Sequence, residues 1–569
     1  MPSNLSLHSL LLCFTGVGLV LLGWMQTQFL PFYGAAWAFV TIILMELFLW
    51  AVYLTFVYPN YISPIRNLPC LGTLRLYVTI KGAHPVFGHT GMIMSDSCGE
   101  DLLRSCLQTP NNGLIRLKGL FSSDQVLITS PKALAHVLVT APYNFPKPER
   151  GRSFLRAGLG DGLVVAEGSC HKFQRKHCMP SFTFRNIKQR YPLFWDKSVK
   201  MTKLIDNEVF GYRSTSPDTR DQQFDVVDID EWAQKTTLDI IGIAGLGRDF
   251  DILHHSNDEL ALHYKGIFTP FRGTQMVAAS LLILGGTLTK LLVPLVMPFA
   301  SARAFRALSG IRVLSREFVR EKKKLQVHKQ ATGNFDTLAS LIESNAFSDH
   351  ELADQLLTLV AAGHETTSSA FTWIIYYLTL YPDLQLRLRA EVQAALPDSI
   401  STDSSSLDLA AILESLPLLN GICNEILRIL PPIATTMRQS KHNTNHIGQP
   451  IPAGTVLTMA PCVINRHPDL WGSDAHEFKP ERWIDKDTGK PNQKGGVSTN
   501  YAFLTFLHGP RSCIGQNFAR AELRSLLAAF VATYQWTMAD PNEKITPAIV
   551  VTAKLKNRLK VKLVKVERC

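Results

Sequence analysis

The chain has 569 residues, 58 of them basic and 47 acidic, for a net charge of +11. That excess suits acidic partners or anionic lipid; with no zinc-finger spacing and no long basic arm, nucleic acid is excluded as a partner. The ten cysteines stand singly, with no CxxC pair, which excludes a metal knuckle or a disulfide framework and fits a reducing, cytosolic face.

From the N-terminus, Leu5 to Trp24 is apolar and uncharged. After the turn Met25 to Pro31, Phe32 to Tyr58 is apolar again, broken only by Glu46. Each run is near the roughly 20 residues needed to cross a bilayer. Residues 1–58 are therefore read as a membrane anchor of one or two helices, about 7–24 and 33–57. A signal peptide is the alternative, but the start has no positive region and a second apolar run follows. Glu46, costly at mid-bilayer, counts against a simple second span. Arg66, Arg75 and Lys81 come next and put the rest of the chain on the cytosolic side. Pro59, Pro64 and Pro69 predict a stiff, non-helical hinge over 59–72.

Leu114-Ile-Arg-Leu and Gln125-Val-Leu-Ile read as short strands, and Ser130-Pro131 starts a helix that ends near Thr140. Asn144 to Gly160, with its prolines, glycines and arginines, is predicted as a loop. His171 and Arg175 lie one helical turn apart and face the same way. They are a donor pair for a carboxylate, or else a solvated basic face. Thr269 to Ala300 carries only Arg272 and Lys290 as charges. Gly285-Gly286, Lys290, Pro294 and Pro298 argue against a further span. A membrane-touching segment that lines a substrate route and an ordinary buried helix pair both fit. Arg316 to Lys329 is a charged, solvated helix.

Ser348-Asp-His-Glu351 is a capping box. An apolar helix runs from it to about Leu380 and stops before Pro382. Its middle reads Ala362-Gly-His-Glu-Thr-Thr367, a polar patch that is costly unless used or satisfied. The Thr366 hydroxyl can turn to the carbonyl one turn back or to a guest. Glu425 and Arg428 sit at i and i+3 on a helix, as a surface pair worth a few tenths of a kcal/mol or as a buried clamp. Pro431-Pro432 ends that helix and forces an extended chain through Ile433 to Arg438. A strand pair follows over Gly448 to Met459.

Near the C-terminus stands Phe506-Leu-His-Gly-Pro-Arg-Ser-Cys-Ile-Gly515, followed by a helix over Asn517 to Tyr534. Phe518, Leu523, Leu526, Leu527 and Phe530 fall on its apolar face. A cysteine at a helix N-terminus, with Arg511 beside it, favours thiolate over thiol. Gly509 and Gly515 remove side chains where the backbone bends or approaches something flat, and Phe506 shields the sulfur. A buried structural cysteine is the plainer reading.

The pattern Phe-x-x-Gly-x-Arg-x-Cys-x-Gly resembles the cysteine-ligand loop of the cytochrome P450 family. Ala-Gly-x-Glu-Thr-Thr, Glu425-x-x-Arg428 and Pro480-Glu481-Arg482 resemble its other motifs, in the family's order. The resemblance runs from about Pro59 to the end. It implies a mainly α fold with small β-sheets, the P450 fold over 73–569, preceded by one or two transmembrane helices. It implies haem b (iron protoporphyrin IX) with Cys513 as the axial ligand of the iron. Phe506, Gly509, Arg511, Gly515 and Gly363 would lie against the cofactor. Arg175, His171 and Arg438 would meet its propionates, although the family most often has Trp where this chain has His171. Thr366 would hold dioxygen and Glu365 would relay protons to it. Glu425, Arg428 and Arg482 would form a structural clamp. Ile433 to Met437 and Ile545 to Val551 would touch substrate, and the 144–160 loop would help enclose it.

The implied activity is an NADPH- and O2-dependent monooxygenase. Its electron donors would be NADPH–cytochrome P450 reductase and cytochrome b5, and it would act at the endoplasmic reticulum membrane facing the cytosol. Glu167-Gly-x-x-His-x-x-Gln-Arg-Lys176 and the two-run anchor resemble fungal enzymes of specialised metabolism, so the expected substrate is an apolar terpenoid or polyketide-type molecule. Two rivals stay open. One is a P450-fold isomerase or dehydratase that rearranges peroxides, although such relatives often lack the acid–threonine pair that is intact here. The other is a non-catalytic haem- or sterol-binding membrane protein.

Overall fold

The computed structural model describes residues 32–71, 99–119, 123–210, 226–254, 289, 291, 293–295, 298–328, 336–396, 407–549 and 552–566. The Leu5–Trp24 run, most of Thr269–Ala300, and Arg75, Lys81, Val550 and Val551 lie outside them. The chain divides into two compact units.

The smaller unit contains residues 1–93, 104–133 and 437–459. Its helix α1 (Phe32–Val52) continues as a π-helix over Tyr53–Ile62. The expected hinge therefore starts later than Pro59. Pro59 lies inside the wide π turn, where an α turn would set its ring against the carbonyl four residues back. Nor is the rest of the hinge a free linker. Cys70 bridges to Arg116 of β1 (Leu114–Lys118), whose N–H donates to Pro69 O at 2.8 Å. β1 pairs antiparallel with β2 (Asp124–Ile128), Leu114 opposite Ile128. Arg116 pairs with Asp124 at 2.6 Å and donates to Pro59 O at 2.6 Å, while Ser63 donates to the other Asp124 oxygen.

The larger unit holds most of the helices. The expected loop at 144–160 is corrected here: α2 spans Glu149–Leu159. Glu149 in its first turn pairs with Arg152 at 2.9 Å and Arg156 at 3.2 Å. Such exposed pairs are worth only about 0.2–0.5 kcal/mol each, and tertiary contact adds to them against the two glycines: Arg312 donates to Arg156 O at 2.6 Å and Ala157 O at 3.0 Å. α3 (Gly168–Cys178) and α4 (Tyr191–Val209) follow, then strand β3 (Val226–Asp228) and α5 (Ile229–Ile241). The charged helix α6 runs over Pro298–His328.

α7 (Asp349–Leu380) starts at the expected capping box. Ser348 N–H donates to Glu351 at 2.9 Å, and Glu351 N–H donates back to Ser348 Oγ at 3.3 Å. Its apolar residues are buried nearly all round, as a core helix requires. α8 (Pro382–Ala395) and α9 (Pro417–Ile429) come next. β4 (Thr436–Gln439), the hairpin β5 (Thr444–His446) and β6 (Gln449–Ile451), and β7 (Val456–Met459) return to the smaller unit. There β1, β2, β7 and β4 form one sheet in that order, with β2 and β7 parallel and Ile128 opposite Met459.

α10 (Gln516–Thr533) buries Phe518, Leu523, Leu526, Leu527 and Phe530 as the spacing predicts. Each such side chain contributes about 1.5–3 kcal/mol. Phe518 meets Phe194 of α4 edge-on at 4.8 Å, and Phe530 meets Phe371 of α7 at 5.8 Å. The chain ends with β8 (Tyr534–Met538), the hairpin β9 (Pro547–Ile549) and β10 (Ala553–Leu555), and β11 (Lys560–Lys565), which pairs with both β3 and β8.

Candidate active site

The cysteine loop is built from backbone contacts. Gly509 has φ +77°, and a Cβ there would sit 2.1 Å from Leu138 O. Only glycine fits that approach. Its neighbour is a carbonyl of the 136–140 turn, not a flat ligand. At Gly515 a Cβ would meet no protein atom nearer than Phe182 at 3.9 Å. Gly515 is the N-cap of α10, and its N–H points at the Cys513 sulfur. Cys513 N–H donates to Phe506 O at 2.8 Å, which closes the loop. The Phe506 ring is buried with Arg520 stacked 5.2 Å over it.

The sulfur itself is exposed, yet enough protein surrounds it that burial pushes its thiol pKa up. The expected preference for thiolate is therefore corrected. Burial outweighs the Gly515 N–H and the Arg175 charge, which act the other way. A metal ion removes such a proton outright when it coordinates the sulfur.

Around the loop lies a collar of cations. Arg511 is buried; its Nη1 donates to Pro142 O at 3.0 Å and Phe145 O at 2.8 Å, and Nη2 pairs with Glu167. Arg511 Nε is buried without a hydrogen-bond partner. Arg175 of α3 donates to Ser512 O, directly beside the cysteine. His171, one turn earlier, is hydrogen-bonded to Tyr143 Oη at 3.1 Å. Burial, then the charges of Arg511, Lys147 and Arg175, lower its pKa to about 4, so it is a neutral donor rather than a cation. Against Arg511, Arg175 and Lys147 stands Glu167, which also accepts Lys147 N–H at 2.9 Å. The set carries excess positive charge and one unused buried donor, which fits a group bearing carboxylates. Arg438 lies on β4 in the smaller unit, buried, with Nη1 on Met437 O at 2.8 Å.

The middle of α7 separates its polar residues by face. Ala362 is exposed and Thr366 half-buried, a window in an otherwise buried helix. Thr366 Oγ1 donates to Ala362 O at 2.9 Å. Thr367 is buried; its Oγ1 donates to Gly363 O at 3.4 Å and lies on the side of the Glu522 carboxyl of α10. Glu522 is wholly buried, and that burial holds its carboxyl well above the usual range. Glu365 pairs with Lys554 of β10 at 2.5 Å. The bare Cα of Gly363 faces Ile241 of α5, whose atoms a Cβ would meet at 2.6 Å. Its lack of a side chain serves the approach of α5 to α7.

Glu425, Arg428 and Arg482 come together with no exposure of the first two. Glu425 Oε1 accepts from Arg428 at 2.8 Å, Lys479 N–H at 2.9 Å and Arg482 at 2.9 Å. Oε2 accepts from Arg428 at 2.8 Å and Trp483 at 2.8 Å. Arg428 continues to Asn465 O at 2.8 Å and Ala475 O at 2.6 Å. Asn465 in turn accepts Leu504 N–H at 2.7 Å and donates to Thr505 at 2.8 Å. The network thus ends one residue before Phe506. Glu167, Asn465, Glu522 and Lys554 escaped the sequence reading. Glu167 alone had a signal, as the acid just ahead of the His171–Arg175 helix.

Mainly helical architecture, a cysteine loop collared by cations and a helix opened at Ala362 and Thr366 define a class: the haem-dependent oxygenases. Residues 82–561 match the family model described as Cytochrome P450. The chain belongs to the cytochrome P450 family, an enzyme family with haem as its cofactor. Among its relatives is "Cytochrome P450 monooxygenase sphH" of Aspergillus fumigatus, 38% identical over 86% of this chain and 86% of the relative. "Cytochrome P450 monooxygenase ptmK" of Penicillium ochrochloron is 36% identical over 90% and 96%. "Cytochrome P450 monooxygenase FUM15" of Gibberella moniliformis is 35% identical over 87% and 86%.

Proposed function

We propose that this protein is a membrane-anchored haem-thiolate monooxygenase that inserts one oxygen atom of O2 into an apolar substrate, with Cys513 as the axial ligand. The observation that carries this is Cys513, solvent-accessible in the loop ahead of α10, with Arg175 on the neighbouring Ser512 O and the buried Arg511 two residues before it. Bound haem supplies the dioxygen site and its reductive splitting. Arg511 Nε and Arg175 hold the cofactor's carboxylates, with His171 as a neutral donor beside them. Phe506 keeps water from the sulfur. Thr366 orients a proton-carrying water and Glu365 resupplies it.

Electrons come from a separate reductase. In support, α3 exposes Lys172 and Lys176 on the helix that carries Arg175, and Arg185 and Lys188 are exposed just beyond it. An acidic partner docking there would lie on the cysteine side. The fungal origin of the relatives supports a place in fungal specialised metabolism, with a terpenoid or polyketide-type substrate. Reduced protein under carbon monoxide should give the thiolate-type band, and NADPH should be consumed with reductase present. A peroxide isomerase would show the band without consumption, and a non-catalytic binder would turn over nothing.

Thr366→Ala should bind haem and substrate normally and still consume NADPH. General acid help of this kind is typically worth about 10²–10⁴-fold. Product per NADPH should fall, with hydrogen peroxide rising to match. Thr367→Ala, whose hydroxyl faces Glu522, should change coupling less. Unchanged coupling in Thr366→Ala would sink its role.

The anchor reading rests on the helical span Val40–Ile62, whose apolar stretch has mean hydropathy 2.2 and buries none of its residues inside the protein, Pro59 near its end being the buried exception. A core helix would be buried. Leu291, Leu295 and Phe299, each more than half exposed at steps of four, supply a second apolar contact for lipid. Deleting residues 1–58 should release much of the protein from membranes with its haem spectrum intact, leaving residual association through these three. Loss of the haem spectrum would show that the anchor belongs to the core.

A further inference from the structure

Glu365, the acid read above as the proton source, is not free at the helix window: Lys554 Nζ lies 2.5 Å from its Oε1. We infer that Lys554 is a positioning residue for proton delivery, which holds the Glu365 carboxylate at the solvent edge of α7 and releases it inward once it takes up a proton. This rests on the monooxygenase reading.

Exposure grades in the required direction. The Glu365 side chain is 10% exposed and that of Lys554 28%, so the ammonium leads from a nearly buried acid to water. The lysine is placed by backbone, not by chance reach. Ala553 O accepts from Ser369 Oγ at 2.7 Å and Trp373 Nε1 at 2.9 Å, one and two turns along α7 from Glu365. Ala553 N–H donates to Pro432 O at 2.8 Å. β10 is thereby latched to the helix that carries Glu365.

A second acid, Asp230 in the first turn of α5, accepts from Gln234 Nε2 at 2.7 Å; burial raises its pKa and the Lys554 charge acts the other way. Around it lie Asp228 and Glu231, both paired to Arg558, at 3.0 and 3.2 Å. His364, beside Glu365, is buried with Nδ1 on Val360 O at 2.9 Å and is no competing cation. When Glu365 takes a proton from water it loses its hold on the ammonium, and Lys554, 28% exposed, turns to solvent. Glu365, now neutral, is free to turn toward Thr366. After it gives up that proton it is again a carboxylate, and the pair re-forms. Lys554 stays an ammonium throughout, so the net transfer is one proton from solvent to the site.

The test uses the full-length, haem-loaded protein. Carbodiimide treatment should join Glu365 to Lys554 as an amide, with loss of one water, located by peptide mass spectrometry. Absence of that cross-link overturns the inference even where variants fail to fold. Lys554→Met should leave the substrate-induced spectral change intact, lower product per NADPH severalfold, raise peroxide and enlarge the solvent isotope effect. Lys554→Arg should restore coupling. Wild-type coupling in Lys554→Met alongside impaired Glu365→Gln and Thr366→Ala overturns this inference alone. Wild-type coupling in all three overturns the oxygen-activation reading beneath it. Weakened substrate binding with unchanged coupling would make Lys554 a packing residue of the hairpin and also overturn it.

Discussion

Cys513→Ala should fold, lose the thiolate-type carbon monoxide band completely, and have no turnover. The loop does not depend on the sulfur for its shape. Gly509 against Leu138 O, Cys513 N–H on Phe506 O, and Arg511 on Pro142 and Phe145 are all contacts that an alanine at 513 keeps. The change therefore removes a ligand and spares the scaffold. The other described cysteines stand outside this loop, and Cys106, Cys178, Cys423 and Cys462 are buried, unlike Cys513. Cys70 is half-buried in the smaller unit, and Cys170 is exposed on α3. Far-ultraviolet circular dichroism should match the parent. A surviving thiolate-type band would move the ligand to another cysteine.

Glu425→Ala should be nearly as damaging by a different route. It removes the acceptor shared by Arg428, Lys479 N–H, Arg482 and Trp483, and leaves the fully buried Arg428 without a counter-charge. Breaking a buried ion pair from one side typically costs about 3–5 kcal/mol. That is a large share of the roughly 5–15 kcal/mol by which a domain is stable. The damage runs through Asn465 to Leu504 and Thr505, so the cysteine loop loses its footing. Little haem-loaded protein should be recovered, with a lowered melting temperature. Glu425→Gln, which keeps acceptor capacity on one oxygen, should retain more. Full haem content and unchanged melting in Glu425→Ala would return the pair to a surface role.

The clamp was legible through the family resemblance, since spacing alone left Glu425 and Arg428 open as a surface pair and the later Pro480-Glu481-Arg482 carried the buried reading. The long helix was legible from its capping box and unbroken apolar run. The 149–159 helix was not, since composition gave weight to prolines and glycines, and the distant Arg312 that binds its last carbonyls is not visible in the string. Gly363 and Gly515 show a further limit. A glycine announces that something is close or bent, without saying what: Ile241 in one case, a helix cap in the other. Lys554 could not be found from sequence at all. It sits 189 positions from Glu365 in the numbering, and only the latch of β10 on α7 brings them together. The sign of the Cys513 shift was misjudged because depth of burial is a property of the fold, while the helix terminus and the arginine are visible in the string.

Where a water-soluble version of this enzyme can begin is decided by Arg116. Its buried guanidinium needs Pro59 O, its N–H needs Pro69 O, and its partner Asp124 takes the Ser63 hydroxyl. A chain trimmed to start at Pro59 keeps all three. One trimmed after residue 72, at the end of the stretch that the prolines mark as a spacer, strips the outer course from the sheet and leaves buried donors unanswered. The safe place to cut is therefore before the prolines, even though this leaves Tyr61 and Ile62 exposed to water.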